Sequence, residues 1–323
     1  MLCIKGVLHV FLLLTAGLIV GCAFVSVPFT SRPRPLEEQT LEGSGSKKIL
    51  LLDISGTISE QEKSGGFLGG FSPSQVSLIR ESLEKAARDD KITGVILRID
   101  SPGGSVTASD IIRHDILEFK KRRKVKVLAC IMGVGASGGY YVATAADSIV
   151  AHPTTITGSI GVILVKFNMA GLMAKLGVEE QTVKSGDKKD IMSMFRRSTP
   201  EEEEMAQDII DHFHNRFLGV ILERPGNKLS RDELKPLADG RVYTADQALN
   251  AKLIDKIAYL DDVIAEMRNN IGDYRARVVS YYRPGGYRGS IYSGGETNAL
   301  PTEILRNANA GFFGGSFMYL WQP

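Results

Sequence analysis

A serine that follows an apolar run and stands among glycines is the first candidate for chemistry in this chain. Ser137 lies in the segment GVGASGGYY, residues 133–141, between a predicted buried strand and a predicted helix of small residues. The glycines permit a substrate backbone to come close, and the amide of Gly138 can point at a developing oxyanion. A turn that only packs a helix tightly against a sheet has the same composition. Ser137 is therefore a candidate nucleophile, with that packing turn as the alternative.

A second glycine turn, DSPGGS at residues 100–105, also lies between a predicted strand and a predicted helix. Its free amide groups can donate to the same oxyanion, and Gly104 is the best candidate donor. The alternative is a strand-to-helix loop in which Ser105 caps the helix. Taken alone, this turn favours the loop interpretation.

A hydroxyl nucleophile needs a base to take its proton. None of the five histidines lies in a glycine-rich context; they are His9, His114, His152, His212 and His214. The segment KSGDKKD, residues 184–190, supplies lysines just after a predicted strand. A lysine accepts a proton only in its neutral form, which burial favours. The alternative is a surface turn with solvated lysines.

The elements that must position these residues alternate along the first half of the chain. Residue types and spacing predict strands at 48–58, 93–99 and 124–132, and helices at 74–88 and 106–121. Such a β-α-β-α-β order predicts an α/β fold with a mostly parallel sheet and right-handed crossovers.

Further elements are predicted beyond Ser137. They are a helix to residue 146, a strand at 148–151, a glycine-bearing segment at 157–164, a helix at 169–176, a strand at 178–183, a long helix at 200–223, helices at 244–250 and 260–269, and a strand at 278–282. The proline and glutamates of residues 200–204 complement a helix dipole, so they indicate a helix start rather than a metal site.

The N-terminal stretch, residues 6–29, is apolar and uncharged and follows Lys5, and it is long enough to cross a bilayer about 30 Å thick. We predict an uncleaved anchor. A lipoprotein signal with the lipid on Cys22 and a cleaved secretory signal are the alternatives. Residues 30–46 are predicted to be a linker, and residues 47–283 a folded domain. Residues 284–323 form a glycine-rich tail, expected to be partly disordered or to bind a partner.

The amino-acid composition excludes few classes of protein. The formal net charge of +2 gives no reason to expect nucleic acid as a partner. The three cysteines, Cys3, Cys22 and Cys130, show neither a disulfide framework nor metal-ligand spacing. A serine nucleophile with a lysine base requires neither a metal nor a cofactor, so we expect none.

Four ordered motifs resemble peptidase family S49, the signal peptide peptidase A family, and the resemblance covers residues 47–283. They are DSPGG at 100–104, ASGGYY at 136–141, TGSIGV at 157–162, and KSG at 184–186 followed by KD at 189–190. The spacing between Ser137 and Lys189 fits the short, single-repeat members of that family.

The resemblance implies a ClpP/crotonase-like fold and a Ser-Lys dyad. Ser137 would be the nucleophile, Lys189 the general base, and Ser159 the hydroxyl that orients the lysine amine. The amides of Gly104 and Gly138 would form the oxyanion hole. One position departs from the family, because Lys188 stands where an aromatic residue commonly precedes the catalytic lysine. Two neighbouring lysines therefore compete for the role of base.

In that family the serine and lysine of one site come from neighbouring subunits of a ring, which implies a homo-oligomer. The implied substrates are cleaved signal peptides and other unfolded peptides. A single-pass anchor would hold the catalytic domain on the extracytoplasmic side of the cell membrane.

Three other functions compete with this interpretation. A protease-like scaffold would bind membrane peptides or partner proteins without cutting them. A Ser-His-Asp hydrolase is possible because GASGG matches the Gly-x-Ser-x-Gly pattern. A crotonase-type acyl-CoA enzyme would share the fold, but it needs neither the Ser-Lys pair nor an anchor.

Overall fold

The computed structural model describes residues 35–64, 71–283, 289–293 and 317–321, all within one compact unit. The predicted membrane anchor lies outside these residues, as do residues 284–288, 294–316 and 322–323 of the predicted tail. Among the residues described, no helix has the length and apolar character needed to span a bilayer.

Fourteen strands are found in this part of the chain. Their bounds are β1 (Glu37–Glu42), β2 (Lys48–Ser55), β3 (Lys63–Ser64), β4 (Phe71–Ser72), β5 (Ile92–Ser101), β6 (Gly103–Ser105), β7 (Lys126–Ala136), β8 (Ser148–Ala151), β9 (Ile156–Gly158), β10 (Ile163–Leu164), β11 (Val242–Thr244), β12 (Lys256–Ile257), β13 (Arg277–Tyr282) and β14 (Phe317–Leu320).

Eight α-helices accompany these strands over the same residues. They are α1 (Gln75–Ala87), α2 (Val106–Arg123), α3 (Gly138–Ala143), α4 (Ala170–Leu176), α5 (Pro200–Leu222), α6 (Arg231–Leu234), α7 (Ala245–Asn250) and α8 (Leu260–Ile271), with a 3-10 turn at Lys235–Leu237.

The main sheet has the order β1-β13-β2-β5-β7-β8-β12, and β9 pairs with β7 and with β11. The pairs from β13 through β2, β5, β7 and β8 to β12 are parallel, as is β7 with β9. Only the pairs β1 with β13 and β9 with β11 are antiparallel. The predicted α/β fold with a mostly parallel sheet is therefore confirmed.

Both faces of the sheet are covered, as expected for parallel strands joined by helices. Along β2, Leu50, Leu52 and Ile54 enter one apolar cluster, together with residues of α1, α2, α3 and α5. The alternate residues Ile49 and Leu51 enter a second cluster, with residues of α8. The period of two along a strand sends successive side chains to opposite faces, so an uninterrupted apolar run fits a strand buried on both sides.

Two helix starts follow the sequence signals. The Ser105 hydroxyl accepts from the amide of Ala108 at 3.3 Å and caps α2. Thr199 and Glu202 form a reciprocal capping box, with Pro200 in the first turn of α5. The predicted start of the long helix is confirmed.

The structure differs from the predicted elements at two places. Residues 178–183 form no strand, so that prediction is wrong; the segment is irregular, with Val178 51% and Val183 99% exposed. β-branched residues favour a strand only where a neighbouring strand pairs with them. Residues 37–42 of the predicted linker form β1, which pairs with β13, so folded structure begins before residue 47.

Candidate active site

Ser137 stands at the sharp turn between β7 and α3. Its backbone has φ 51° and ψ −115°, and the residue is 1% exposed. Its amide donates to the carbonyl of Gly158 at 2.7 Å, and its carbonyl accepts from the amide of Tyr141 at 2.8 Å. A serine rarely adopts positive φ, and such strain persists where the surroundings hold it and is concentrated at active sites.

The two glycine turns predicted to supply oxyanion donors lie against each other. A methyl group added to Gly138 would come within 3.1 Å of the amide nitrogen of Gly104 and within 3.1 Å of the Gly103 Cα. The structure therefore brings Gly104 and Gly138 together at the Ser137 turn. Two neighbouring backbone amides beside a serine match the layout of an oxyanion hole.

Hydrogen bonds hold these turns in place. The Ser101 hydroxyl donates to the carbonyl of Gly56 at 2.6 Å and accepts from the amide of Gly103 at 3.1 Å. The Asp100 carboxylate accepts from the amide of Val134 at 2.9 Å and so ties the end of β5 to β7. Preorganised donors of this kind need no rearrangement when charge develops in the transition state.

Ser159 lies beside the turn that carries Ser137. Ser159 directly follows Gly158, the last residue of β9, which pairs in register with Ala136, the last residue of β7. Ser137 and Ser159 therefore come directly after the ends of two paired strands. Ser159 is 7% exposed, has φ 49°, and donates its amide to the carbonyl of Arg241 at 2.7 Å. The two serines are thus both buried, both at positive φ, and next to each other.

Lys189 lies elsewhere in the single chain. It is exposed, and its backbone amide donates to the carbonyl of Gly186 at 3.0 Å within a turn. In the part of the chain described, the Lys189 amine makes no hydrogen bond with the Ser137 hydroxyl. One copy of the chain therefore assembles the serine and the glycine amides but not the lysine.

Ion pairs anchor the turn that carries Lys189 to the start of α5. Arg196 binds Asp190 at 2.8 Å and Glu202 at 2.6 Å, and Lys184 also reaches Asp190 at 2.7 Å. Hydrogen bonds from Arg196 and Lys184 hold the pKa of Asp190 well below its usual range. The hydrogen bonds from Arg196 and from the Thr199 amide lower the pKa of Glu202 to about 2.

The two neighbouring lysines differ in their contacts. The Lys188 amine pairs with the carboxylate of Glu201. Lys189 has no ion-pair partner among the described residues. A base must offer a free amine, so this difference favours Lys189 over Lys188.

The histidines do not form a triad with Ser137 in the described part of the chain. His152 Nδ1 lies 2.9 Å from the Thr154 hydroxyl, and its ring packs edge-on against Tyr259. The two histidines of the long helix lie in α5, as predicted. No group of acidic, histidine or cysteine residues among those described is arranged to hold a metal ion.

Sequence reasoning missed an aromatic and charged cluster next to the turn that carries Ser137. The Tyr141 hydroxyl donates to Asp110 at 2.5 Å, and Arg216 donates to the same oxygen at 2.9 Å. Burial would raise the pKa of Asp110, but these two hydrogen bonds outweigh it and the net shift is downward. Burial of Tyr141, together with its bond to Asp110, raises the pKa of that phenol. The tyrosines that follow Ser137 in the sequence were the signal from which this cluster could have been predicted.

Fold and geometry together define a site for acyl transfer on an α/β scaffold. The sequence model of "Peptidase family S49" matches residues 119–272, and that of "Clp protease" matches residues 71–156. A protein of Enterococcus faecium, provisionally named signal peptide peptidase SppA, is 34% identical over 247 residues, which cover 76% of this chain and 70% of that protein.

A second relative is Protease 4 of Salmonella typhi, which is 33% identical over 218 residues, covering 68% of this chain but 34% of that protein. Among solved structures, a mutant of a membrane-bound stomatin-specific protease aligns at 14% identity with a TM-score of 0.47, over 75% of this chain and 100% of that one. The chain belongs to peptidase family S49 and is a serine protease.

Proposed function

We propose that this protein is a Ser-Lys endopeptidase in which Ser137 of one copy works with Lys189 of a neighbouring copy. The observation that carries the proposal is the strained, buried Ser137 turn with the amides of Gly104 and Gly138 beside it. A ClpP/crotonase-like topology is part of the proposal, and the "Clp protease" match to residues 71–156 supports it.

The reaction would proceed through an acyl-enzyme. Neutral Lys189 takes the Ser137 proton, and the serine oxygen attacks a peptide carbonyl while the Gly104 and Gly138 amides donate to the oxyanion. The lysine then gives its proton to the departing amine. A water molecule hydrolyses the ester and restores the serine. Ser159, adjoining Ser137, would hold the lysine amine in position.

Contact with a second copy explains why Lys189 is exposed in a single chain. The region around it leaves large apolar side chains in solvent; these are Leu172, Leu176, Val178, Val183, Phe195, Met205 and Ile209. No residue of α4 is buried. So many exposed large apolar side chains within one stretch of sequence fit a protein interface. We therefore propose a homo-oligomer in which this region carries Lys189 to the neighbour's Ser137.

The proposed substrates are cleaved signal peptides and other unfolded peptides. The name of the Enterococcus relative supports this substrate class. An extended apolar peptide can bind by adding as a strand to a sheet.

We further propose that residues 6–29 anchor the protein in the cell membrane as a single span, with the catalytic domain on the extracytoplasmic side. The support is the uncharged apolar length of that segment. Lipidation at Cys22 is the alternative form of attachment. Mass spectrometry of the membrane-extracted protein separates the two, because only the lipoprotein begins at a lipidated Cys22.

The test is hydrolysis of fluorogenic leader-like peptides by the full chain in detergent, measured across pH. We expect Ser137→Ala and Lys189→Ala each to lower kcat by at least about a thousandfold. Lys188→Ala is the matched control and keeps most of the rate. Activity of the parent rises with pH, because only the neutral lysine accepts the proton.

Normal turnover in Lys189→Ala would remove that residue from the mechanism. A fully assembled parent that cuts no peptide, and that Ser137→Ala does not change, would point to a peptide-binding scaffold. Oligomeric state and circular dichroism of each variant show whether the fold is intact.

A further inference from the structure

The edge of the main sheet at which its parallel strands begin carries a basic surface, at the opposite end of the strands from Ser137. The strands β2, β5 and β7 start there side by side, because Lys48 pairs with Ile92 and Gly94 with Lys126. The helices α1 and α2 end at the same edge, since each leads directly into the next strand. Lys126 is the first residue of β7 and Ser137 follows the last. The length of that strand, about 35 Å, separates the basic surface from the candidate site.

Exposed cations without a partner in the described part of the chain are concentrated on this surface. They are Arg88, Lys91, Lys121, Arg122, Lys124 and Lys126. Other cations beside them are each paired with an aspartate; the pairs are Lys48 with Asp89, Lys120 with Asp147 and Arg123 with Asp90. Two exposed glutamates, Glu84 and Glu118, share the surface. The surface therefore keeps a net positive charge, although the whole chain carries only +2.

The dipoles of the two helices explain only part of this charge. A cation in the last turn of a helix is stabilised by the partial negative charge of the helix end, and Lys121 and Arg122 lie in the last turn of α2. Lys91 and Lys126 belong to no helix, because Lys91 precedes β5 and Lys126 begins β7. Like charges held close together repel one another. The surface thus presents more positive charge than the helix ends require.

Two arginines of this surface line one recess of about 460 Å³. Arg88 is the C-cap of α1, Arg122 lies in the last turn of α2, and Ala87 and Glu84 complete the lining. A guanidinium binds a phosphate group through parallel N–H donors. Two guanidiniums in one recess can hold a phosphate group between them, and the single carboxylate of Glu84 does not cancel both charges.

The chain enters the fold beside this surface. The amine of Lys85, in the last turn of α1, donates to the Leu36 carbonyl at 2.9 Å, and Arg88 lies three residues further on. The predicted anchor ends at residue 29, so residues 30–36 connect the bilayer to this point. Seven extended residues span at most about 25 Å. The basic surface is therefore within reach of the headgroups of the membrane that the anchor spans.

We propose that the basic surface docks on anionic phospholipid headgroups of that membrane, with a headgroup phosphate between Arg88 and Arg122. Anionic headgroups attract clustered lysines and arginines within a Debye length, which is about 10 Å at 0.1 M salt. Docking turns the starting edge of the sheet towards the bilayer and leaves Ser137 at the far edge, in water. The proposal rests on the proposed anchor and not on the proposed peptidase activity.

Lysine labelling of the reconstituted protein tests the docking. The full chain is placed in vesicles of phosphatidylcholine alone and of an equimolar mixture with phosphatidylglycerol, an uncharged acetylating reagent is added, and mass spectrometry gives the rate at each lysine. Lys121, Lys124 and Lys126 should react at least about fivefold more slowly in the mixed vesicles. This protection should disappear in about 1 M salt, where the Debye length is about 3 Å. Lys235, exposed on another part of the chain, is the internal control and should react equally in both.

Removal of charge from the surface gives a second measurement. In the double variant Lys121→Gln with Arg122→Gln, Lys124 should react in mixed vesicles at close to its rate in phosphatidylcholine. The matched control, Lys235→Gln with Lys252→Gln, also removes two exposed charges, neither of them on the basic surface, and should keep the protection. Both variants should cut a soluble leader-like peptide at the parent's rate, because none of the four residues lies in the candidate site.

Equal labelling of the parent in the two kinds of vesicle would overturn the proposal. Protection that is the same in both, but absent in detergent, would mean that a second copy of the chain covers the surface. Protection by inorganic polyphosphate added to phosphatidylcholine vesicles, with none in the mixed vesicles, would assign the surface to a soluble polyanion instead.

Flotation separates failure of the docking surface from failure of the anchor. A chain that floats with phosphatidylcholine vesicles in high salt, but shows no protection in mixed vesicles, keeps the anchor and loses the docking surface. A chain that does not float with phosphatidylcholine vesicles, yet is protected when mixed vesicles are added, loses the anchor and keeps the surface.

Discussion

At the scale of single residues, the candidate site includes two buried glycines, Gly104 and Gly138, beside the Ser137 turn. A methyl group on Gly138 would come within 3.1 Å of the Gly104 nitrogen, whereas a methyl group on Gly104 would meet the backbone of Ile58. Gly138 has an ordinary backbone conformation, so alanine there is opposed by contact rather than by dihedral strain. Substitution of Gly138 by alanine therefore tests whether the space beside this residue is needed, without forcing the backbone into dihedral angles that alanine avoids.

Gly138→Ala should keep the fold and lower kcat by about a hundredfold or more, because the added methyl crowds the oxyanion position. The methyl would lie 2.5 Å from the Ser109 hydroxyl, which can be removed, and 3.1 Å from the Gly104 nitrogen, which cannot. The measurement is steady-state kinetics with thermal unfolding as a check on folding. The double variant with Ser109→Ala should recover stability but not kcat.

Ser109→Ala alone is the control and should turn over peptides at close to the parent's rate. Recovery of kcat in the double variant would show that crowding at Ser109, and not obstruction of the amides, caused the loss.

At the scale of elements, the turn that carries Lys189 depends on its attachment to α5. Arg196 connects Asp190, next to the lysine, to Glu202 in the capping box of the helix. Because Glu202 is both cap and ion-pair partner, one carboxylate orders the helix start and the lysine turn together. The charged state of Glu202 should therefore govern how well Lys189 is presented to a neighbour.

Replacement of Glu202 by glutamine should lower the thermal unfolding midpoint at neutral pH and matter progressively less in acid. The pKa of Glu202 is lowered from about 4.5 to about 2, so its stabilising contribution is present above pH 4.5 and is lost as pH falls towards 2. The difference in midpoint between the parent and Glu202→Gln, measured from pH 7 to pH 2, should shrink across that window.

Glu204→Gln, an exposed neighbour on the same helix, is the control for this titration. Its midpoint should follow that of the parent at every pH. A difference for Glu202→Gln that stays constant down to pH 2 would contradict the assigned role of the Arg196 ion pair.

At the scale of the whole molecule, one chain contains both the proposed serine and the proposed lysine, but the two side chains do not form one site within that chain. Ser137 is buried within the body, whereas Lys189 is exposed beside unburied apolar side chains. If neighbouring copies share a site, two inactive variants can complement each other, as a closed ring of identical contacts allows.

Equimolar co-assembly of Ser137→Ala with Lys189→Ala should restore about a quarter of the parent's activity, since about one site in four then pairs an intact serine with an intact lysine from the next copy. The two variants are co-expressed with different tags, purified through both, and assayed on the same peptide. Each variant assembled alone is the control and should be inactive. No recovery in verified mixed oligomers would place serine and lysine in the same chain.

Local sequence patterns were sufficient for most of the fold and for the sharp turn that carries the candidate nucleophile. Strands buried on both faces read as apolar runs, and caps such as Ser105 and Thr199 mark helix starts, because these signals depend on near neighbours in the chain. The predicted strand at residues 178–183 failed because a strand needs a partner, and nothing in its own residues reveals that none is present.

Ser137 was found from its glycine-rich turn, and Lys189 from the motifs of a family, yet neither signal shows burial or distance. Only the tertiary structure decided that Gly104 and Gly138 meet, that Ser159 adjoins Ser137, and that Lys189 is exposed whereas both serines are buried. It also stacked the ring of Tyr319, far along the chain, on the ring of Tyr141. Contacts between residues distant in sequence depend on how the whole chain packs, so no local pattern encodes them.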